Sequence, residues 1–191
     1  MGQYYKAVLI DKNNMIKIID PHKIGDGSKL TEHSWIGTNM INAVMNSIYN
    51  NPCRIWWMGD YSADVIECKD VNKDEGLEYL LYLMAWKYDL CIDKDVNICD
   101  PSGCGWLVNH TKNCYLRVPY DDPCKRYPDI PVHPLPILCA TSNGQGGGDY
   151  HGSNMNKVGS WAGDEIEFTF DYGKLDGAMV GIIFKEDEES D

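Results

Sequence analysis

Tyr4-Tyr5-Lys6-Ala7-Val8-Leu9-Ile10-Asp11-Lys12-Asn13-Asn14-Met15-Ile16-Lys17-Ile18-Ile19 contains two short β-branched or apolar runs separated by four polar turn formers. The runs Tyr4 to Ile10 and Met15 to Ile19 are rich in strand-forming residues, and Asp11-Lys12-Asn13-Asn14 tolerates the backbone a tight reversal needs. The stretch therefore reads as a β-hairpin. The same signature returns at Trp106 to Val108 and Tyr115 to Val118, around Asn109-His110-Thr111-Lys112-Asn113. Between the hairpins, Met40, Ile41, Val44, Met45 and Ile48 recur with helical spacing, which predicts an amphipathic helix from about Thr38 to Tyr49. Arg54 to Met58 follows as a buried strand. A second helix is expected over Leu77 to Leu90, apolar around most of its circumference and so expected in the core.

Beyond the second hairpin the reading is less regular. Pro119 to Pro136 carries six prolines and is expected to be extended or irregular. Leu135 to Ala140 reads as a short strand, Ile166 to Tyr172 alternates like one, and Ala178 to Phe184 looks like a final buried strand. Hairpins with two main helices in 191 residues give an α+β fold in one compact domain over residues 1–185, with an acidic tail at 186–191. Three blocks also repeat in order. Ile16-Lys17-Ile18 matches Leu116-Arg117-Val118, Gly37-Thr38-Asn39-Met40 matches Gly152-Ser153-Asn154-Met155, and Trp57-Met58-Gly59-Asp60 matches Trp161-Ala162-Gly163-Asp164. They suggest an internal duplication, residues 4–61 against 105–165, with a site near the pseudo-axis.

Composition narrows the function. A formal net charge of −12 and no basic run longer than two residues argue against direct nucleic-acid binding. The charge favours a basic protein surface as partner. No leader pattern and no apolar run of membrane-spanning length is visible, so a cytoplasmic location is expected. Eight cysteines then read as reduced structural thiols rather than disulfides. The spacing of Cys99, Cys104, Cys114 and Cys124 lacks the close pairs that pre-arrange zinc. No metal and no cofactor are expected.

Several motifs are distinctive together: Met1-Gly2-Gln3-Tyr4-Tyr5, Leu107-Val108-Asn109-His110-Thr111-Lys112, His133-Pro134-Leu135-Pro136, Gly146-Gly147-Gly148-Asp149-Tyr150 and Val158-Gly159-Ser160-Trp161-Ala162-Gly163-Asp164. In them the chain resembles an uncharacterised family of bacterial and bacteriophage proteins, over most of its length except the middle helix region and the acidic tail. The resemblance implies a prokaryotic or phage origin. By association it also points to proteins that bind and block host machinery.

The candidate site centres on Ser142 to Gly152, in which five of eleven residues are glycine. Such a loop can turn successive N–H groups toward an anion, so a small anionic ligand is a second candidate partner. No lysine-serine pair follows it, and it is not a Walker loop. The expected ligand-binding set is Asn109, His110, His133, Gly146, Gly147, Gly148, Asp149, Tyr150, His151, Trp161 and Asp164. A packed turn in which Asp149 caps neighbouring N–H groups is the structural alternative. Two functions remain open: a binding protein that sequesters a ligand or blocks a basic host surface, and an enzyme acting on a phosphorylated or nucleotide-like compound through the loop.

Overall fold

The computed structural model of the chain describes residues 2–62, 73–87, 105–118, 132–171, 173, 175 and 177–181. Both hairpins form. β1 (Tyr5–Asp11) pairs antiparallel with β2 (Ile16–Ile19), and β4 (Gly105–Asn109) with β5 (Cys114–Val118). Each reversal contains an asparagine in the left-handed region, Asn14 at φ 60° and Asn113 at φ 49°, a conformation Asn accepts at low cost. Asp11 fastens the first turn by accepting from Asn13 N and Met15 N, both at 2.8 Å.

The chain is an α+β protein built on one mixed sheet. Its order is β2-β1-β3-β7-β4-β5-β8, with β3 at Cys53–Gly59, β7 at Glu165–Thr169 and β8 at Ala178–Met179. β6 (Ala140–Thr141) lies parallel to the far end of β3. The two halves mirror each other. In each, the first strand of a hairpin is flanked by the hairpin's second strand and by a later strand antiparallel to it, β2-β1-β3 against β5-β4-β7. β3 and β7 meet antiparallel only at Cys53–Ile166 and Arg54–Glu165, so an approximate twofold axis passes through this short seam. Beyond it the strands part. β6 takes over beside Trp57 and Met58, while Tyr49 bridges to Phe168 on the other side. The matched hairpin blocks fall on β2 and β5. The other matched blocks occupy unlike local structure: Thr38 caps a ten-residue helix whereas Met155–Lys157 is a single 3-10 turn, and Trp57 lies within β3 whereas Trp161 sits in a turn before β7.

Strand alternation divides the apolar residues between two faces. Leu9, Ile55, Trp57, Leu107, Leu116 and Phe168 join one large core with α1 (Leu30–His33) and α2 (Asn39–Ile48). α2 starts where the sequence indicates. Thr38 Oγ1 accepts from Ile41 N at 3.3 Å, and Asp26 Oδ2 from Met40 N at 2.6 Å, together satisfying two of the first-turn donors.

On the opposite face Val8, Ile10, Ile18, Trp56 and Met58 pack beneath α3 (Lys73–Tyr82) and the wide π-turn Leu83–Lys87 that continues it. This segment differs from the expected core helix. Leu81 and Ala85 are buried, but Tyr79 and Leu80 stay exposed, because the helix lies across one sheet face and buries a single stripe. Lys6, itself buried, holds it down: Nζ donates to Ala85 O at 3.0 Å, pairs with Asp20 at 3.2 Å and sits over the Trp86 ring. Residues 88–90 of the expected helix lie outside the described residues.

Two further expectations are corrected. The segment expected as a strand from Leu135 is the helix α4 (Pro134–Cys139), and only Ala140–Thr141 is extended. Prolines 134 and 136 fall in its first turn, where a helix has no use for their missing N–H, and His133 caps it. The final strand is not buried: Ala178 and Met179 are exposed. Residues 182–184 of it, and residues 119–131 of the proline-rich passage, lie outside the described residues. So do five of the eight cysteines. Cys53, Cys114 and Cys139 are free buried thiols. Among the described residues no helix is long and apolar enough to cross a membrane.

Candidate functional site

The glycine-rich loop leaves β6 at Ser142, which is itself left-handed at φ 63°. Its N–H groups converge as the glycines allow, and what they converge on is Asp149. Oδ2 accepts from Gly144 N at 2.6 Å and Gly146 N at 2.9 Å, while Oδ1 accepts from Tyr5 Oη at 2.7 Å. With its amide oriented by this network, Gln3 donates to both Asp149 oxygens at 2.9 Å, and its oxygen accepts from Ser142 Oγ at 2.5 Å. The anion in the nest is thus the chain's own carboxylate, almost fully buried. Burial, and then the bond to Asp149, push the Tyr5 phenol far above its ordinary pKa, so it stays a donor.

The glycines also let two backbones approach closely. Gln3 N donates to Gly147 O at 3.0 Å and Thr31 N to Gly148 O at 3.2 Å. A Cβ on Gly146 would stand 2.8 Å from Gln3 N, and one on Gly148 2.3 Å from the Lys29 side chain. Tyr150 is fully buried and donates to Ser153 O at 2.9 Å, and Asn143 brackets its backbone at 2.9 and 3.1 Å. His151 is exposed.

Beside this loop lies a hydroxyl cluster. Ser62 Oγ is 2.6 Å from Thr141 Oγ1 and 3.1 Å from Ser142 Oγ. The cluster sits where the parallel strands β3 and β6 end together, a position at which open sheets leave a crevice. Here it is a cleft of about 500 Å³, lined by Ser62, Thr141, Ser142, Asn143, Gln145 and Glu78, with Met155, Val158 and Ala162 among its apolar walls. Asp60 lies close by. Its carboxyl is pushed up by burial, with a smaller contribution from the charge on Asp149.

The remaining expected site residues occupy two other places. At the second hairpin turn Asn109 donates to Asp164 Oδ2 at 2.7 Å and accepts from Lys112 N at 2.9 Å, and Lys112 Nζ pairs with the same Asp164 oxygen. His110 Nε2 is 3.0 Å from Glu167 Oε2. Asp164 borders a second hollow of about 720 Å³ between the two hairpin turns and α3. His133 is instead buried at the start of α4, where Nδ1 accepts from Leu135 N at 3.2 Å. Its Nε2 has no partner among the described residues. Burial lowers its pKa to about 3. Trp161 is in the large core.

Gly146, Gly147, Gly148, Asp149 and Tyr150 are therefore brought together, and Asn109 with Asp164, but the two groups do not meet. Gln3, Tyr5, Ser62, Thr141 and Glu78 are additions to the site that sequence reading missed. Ser62 and Thr141 are 79 residues apart, and neither carries a motif. Among the described residues no group of three or more His, Cys, Asp or Glu is placed to hold a metal ion. Comparison with protein-family models, with curated proteins and with solved structures finds no match.

Proposed function

We propose that the protein is a binding protein that sequesters a small polar ligand, neutral or positively charged, in the cleft at the ends of β3 and β6. The observation that carries this reading is the lining. Hydroxyls of Ser62, Thr141 and Ser142 and amides of Asn143 and Gln145 offer hydrogen bonds in both directions. Among the described lining residues the only charged side chain is the carboxylate of Glu78. An anion is disfavoured for two reasons. The loop's converging N–H groups are occupied by Asp149, and the net charge of −12 repels it. Binding is favoured over catalysis because, among the described residues, the serine hydroxyls face other hydroxyls, an amide and a carbonyl rather than a base. The resemblance to bacterial and phage proteins suits a role in withholding a small molecule from host machinery. Blocking of a basic host surface is the second reading, carried by the net charge, and such a complex weakens with salt.

Calorimetry with sorbitol, adenosine and glucosamine against glucose 6-phosphate tests the cleft. The first three classes should contain a binder and the phosphate ester should not bind. Gln145→Trp, on an exposed loop position, should abolish binding while the fold persists. Glucose 6-phosphate binding more tightly than all three would refute the reading.

A further inference from the structure

The cleft does not end at Glu78. That carboxylate and Ala162 line the second hollow as well. One stretch of chain walls both: residues 158–165 run along the seam where β3 leaves β7. Val158, Gly159 and Ala162 face the first hollow, and Ala162, Gly163, Asp164 and Glu165 the second. This wall is fixed to the sheet and α4 through Gly163 N to Ile55 O at 2.7 Å, Ile55 N to Asp164 O at 3.2 Å and Gly159 N to Ile137 O at 2.9 Å.

The two ends differ in chemistry. Where the first is lined by hydroxyls and amides, the second has the apolar side chains of Ile10, Ile16, Trp56 and Leu77 beneath a charged rim. Among the described rim residues Asp11, Glu78, Asp164 and Glu165 outnumber Lys12 and Arg54, and Lys112 pairs with Asp164. Arg54 is moreover turned to the wall, with Nε donating to Gly163 O at 3.0 Å and the guanidinium over the Trp56 ring.

We propose that the two hollows are one groove and that its ligand is an amphipathic hydroxylated amine. Its hydroxyls occupy the Ser62–Thr141–Ser142 end, its ammonium lies at Glu78, and its apolar chain runs along Ile10, Ile16 and Leu77. This rests on the reading of the first cleft as the ligand site. Continuity of the wall, the shared carboxylate and the excess of acidic rim groups each favour it.

Sorbitol and the N-methyl, N-butyl and N-hexyl glucamines, measured by calorimetry below their aggregation concentrations, separate the two claims. Affinity should rise along the alkyl series by up to about fourfold for each methylene buried. Ile16→Glu should remove that rise. Glu78→Gln should weaken the amines roughly tenfold, as loss of a charge-assisted bond does, and weaken sorbitol less. Circular dichroism checks that each variant is folded, and Leu77→Ser serves if Ile16→Glu is not. Equal affinity across the alkyl series would overturn the continuous groove and leave the first cleft intact. Absence of binding by every compound, or binding that survives Gln145→Trp, would overturn both.

Discussion

The Tyr5 hydroxyl donates to Asp149 Oδ1 at 2.7 Å, joining the first strand to the glycine-rich loop across 144 residues of chain. Two backbone N–H groups and the Gln3 amide complete the shell of this carboxylate. Asp149→Ala leaves those donors buried and unpaired, and should destabilise the protein by about 3 kcal/mol or more. Tyr5→Phe removes one donor among several and should cost about 1–2 kcal/mol. Urea unfolding of both variants checks the order; an Asp149→Ala protein as stable as the parent would show that the loop does not depend on its internal anion.

Two buried histidines make stability depend on acid. His33 accepts from Trp57 Nε1 at 2.8 Å and its Nδ1 meets Gly27 O at 2.9 Å, which fixes a neutral ring. Burial lowers its pKa to about 4, and that of His133 to about 3. Above pH about 6.5 both are neutral folded and unfolded, and their contribution is fully present. As pH falls below that value the unfolded chain takes up protons that the folded chain refuses, and stability is lost until pH approaches 4 and then 3. Asp26 and Asp60, raised by burial, act in the opposite sense and offset part of the loss in the carboxylate range. The slope between pH 6 and 5 should approach about 2.7 kcal/mol per pH unit, the limit for two protons. His33→Gln should reduce it by one proton; an unchanged slope would place the uptake elsewhere.

Glycines in two settings should respond with opposite sign. Gly76, inside α3, has open space around it, and Gly76→Ala should stabilise by about 0.5–1 kcal/mol through helix propensity. Gly146→Ala drives a Cβ to 2.8 Å from the Gln3 backbone, which cannot swing aside as a side chain can, and should destabilise by about 1–3 kcal/mol. Thermal unfolding of the two single variants decides the signs.

Burial pushes the Cys53 thiol up to about 11, and those of Cys139 and Cys114 upward too. Since the thiolate is the reactive form, these three should resist alkylation in the native protein and label quickly in denaturant. Peptide mapping after a timed iodoacetamide exposure measures this. Native labelling of Cys139 at the rate of an exposed thiol would contradict its burial.

The hairpins and α2 were legible in sequence because their signals are local. Alternating side chains flank turns whose asparagines accept positive φ, and Thr38 stands at the start of a clean helical period. α4 was not. Pro134 and Pro136 read as helix breakers, and only the cap at His133 shows that both fall in the first turn. The glycine loop's capacity to gather N–H groups was likewise visible, since it follows from backbone freedom alone. Its occupant depends on Tyr5 and Gln3, placed there by pairing of strands remote in sequence. The hydroxyl cleft is of that kind too: Ser62 and Thr141 meet only because β6 takes the place beside β3 that β7 leaves.

That seam has a consequence for synthesis. The half-sheet β2-β1-β3 is complete once residue 59 has emerged, yet β7, which covers one edge of β3, begins only at Glu165. At translation rates of roughly 5–20 residues per second, the intervening chain takes about 5–20 s to appear. Throughout that interval a nascent chain displays the unpaired amides and carbonyls of Cys53 and Ile55 beside an apolar strand, a template for association with neighbouring nascent chains.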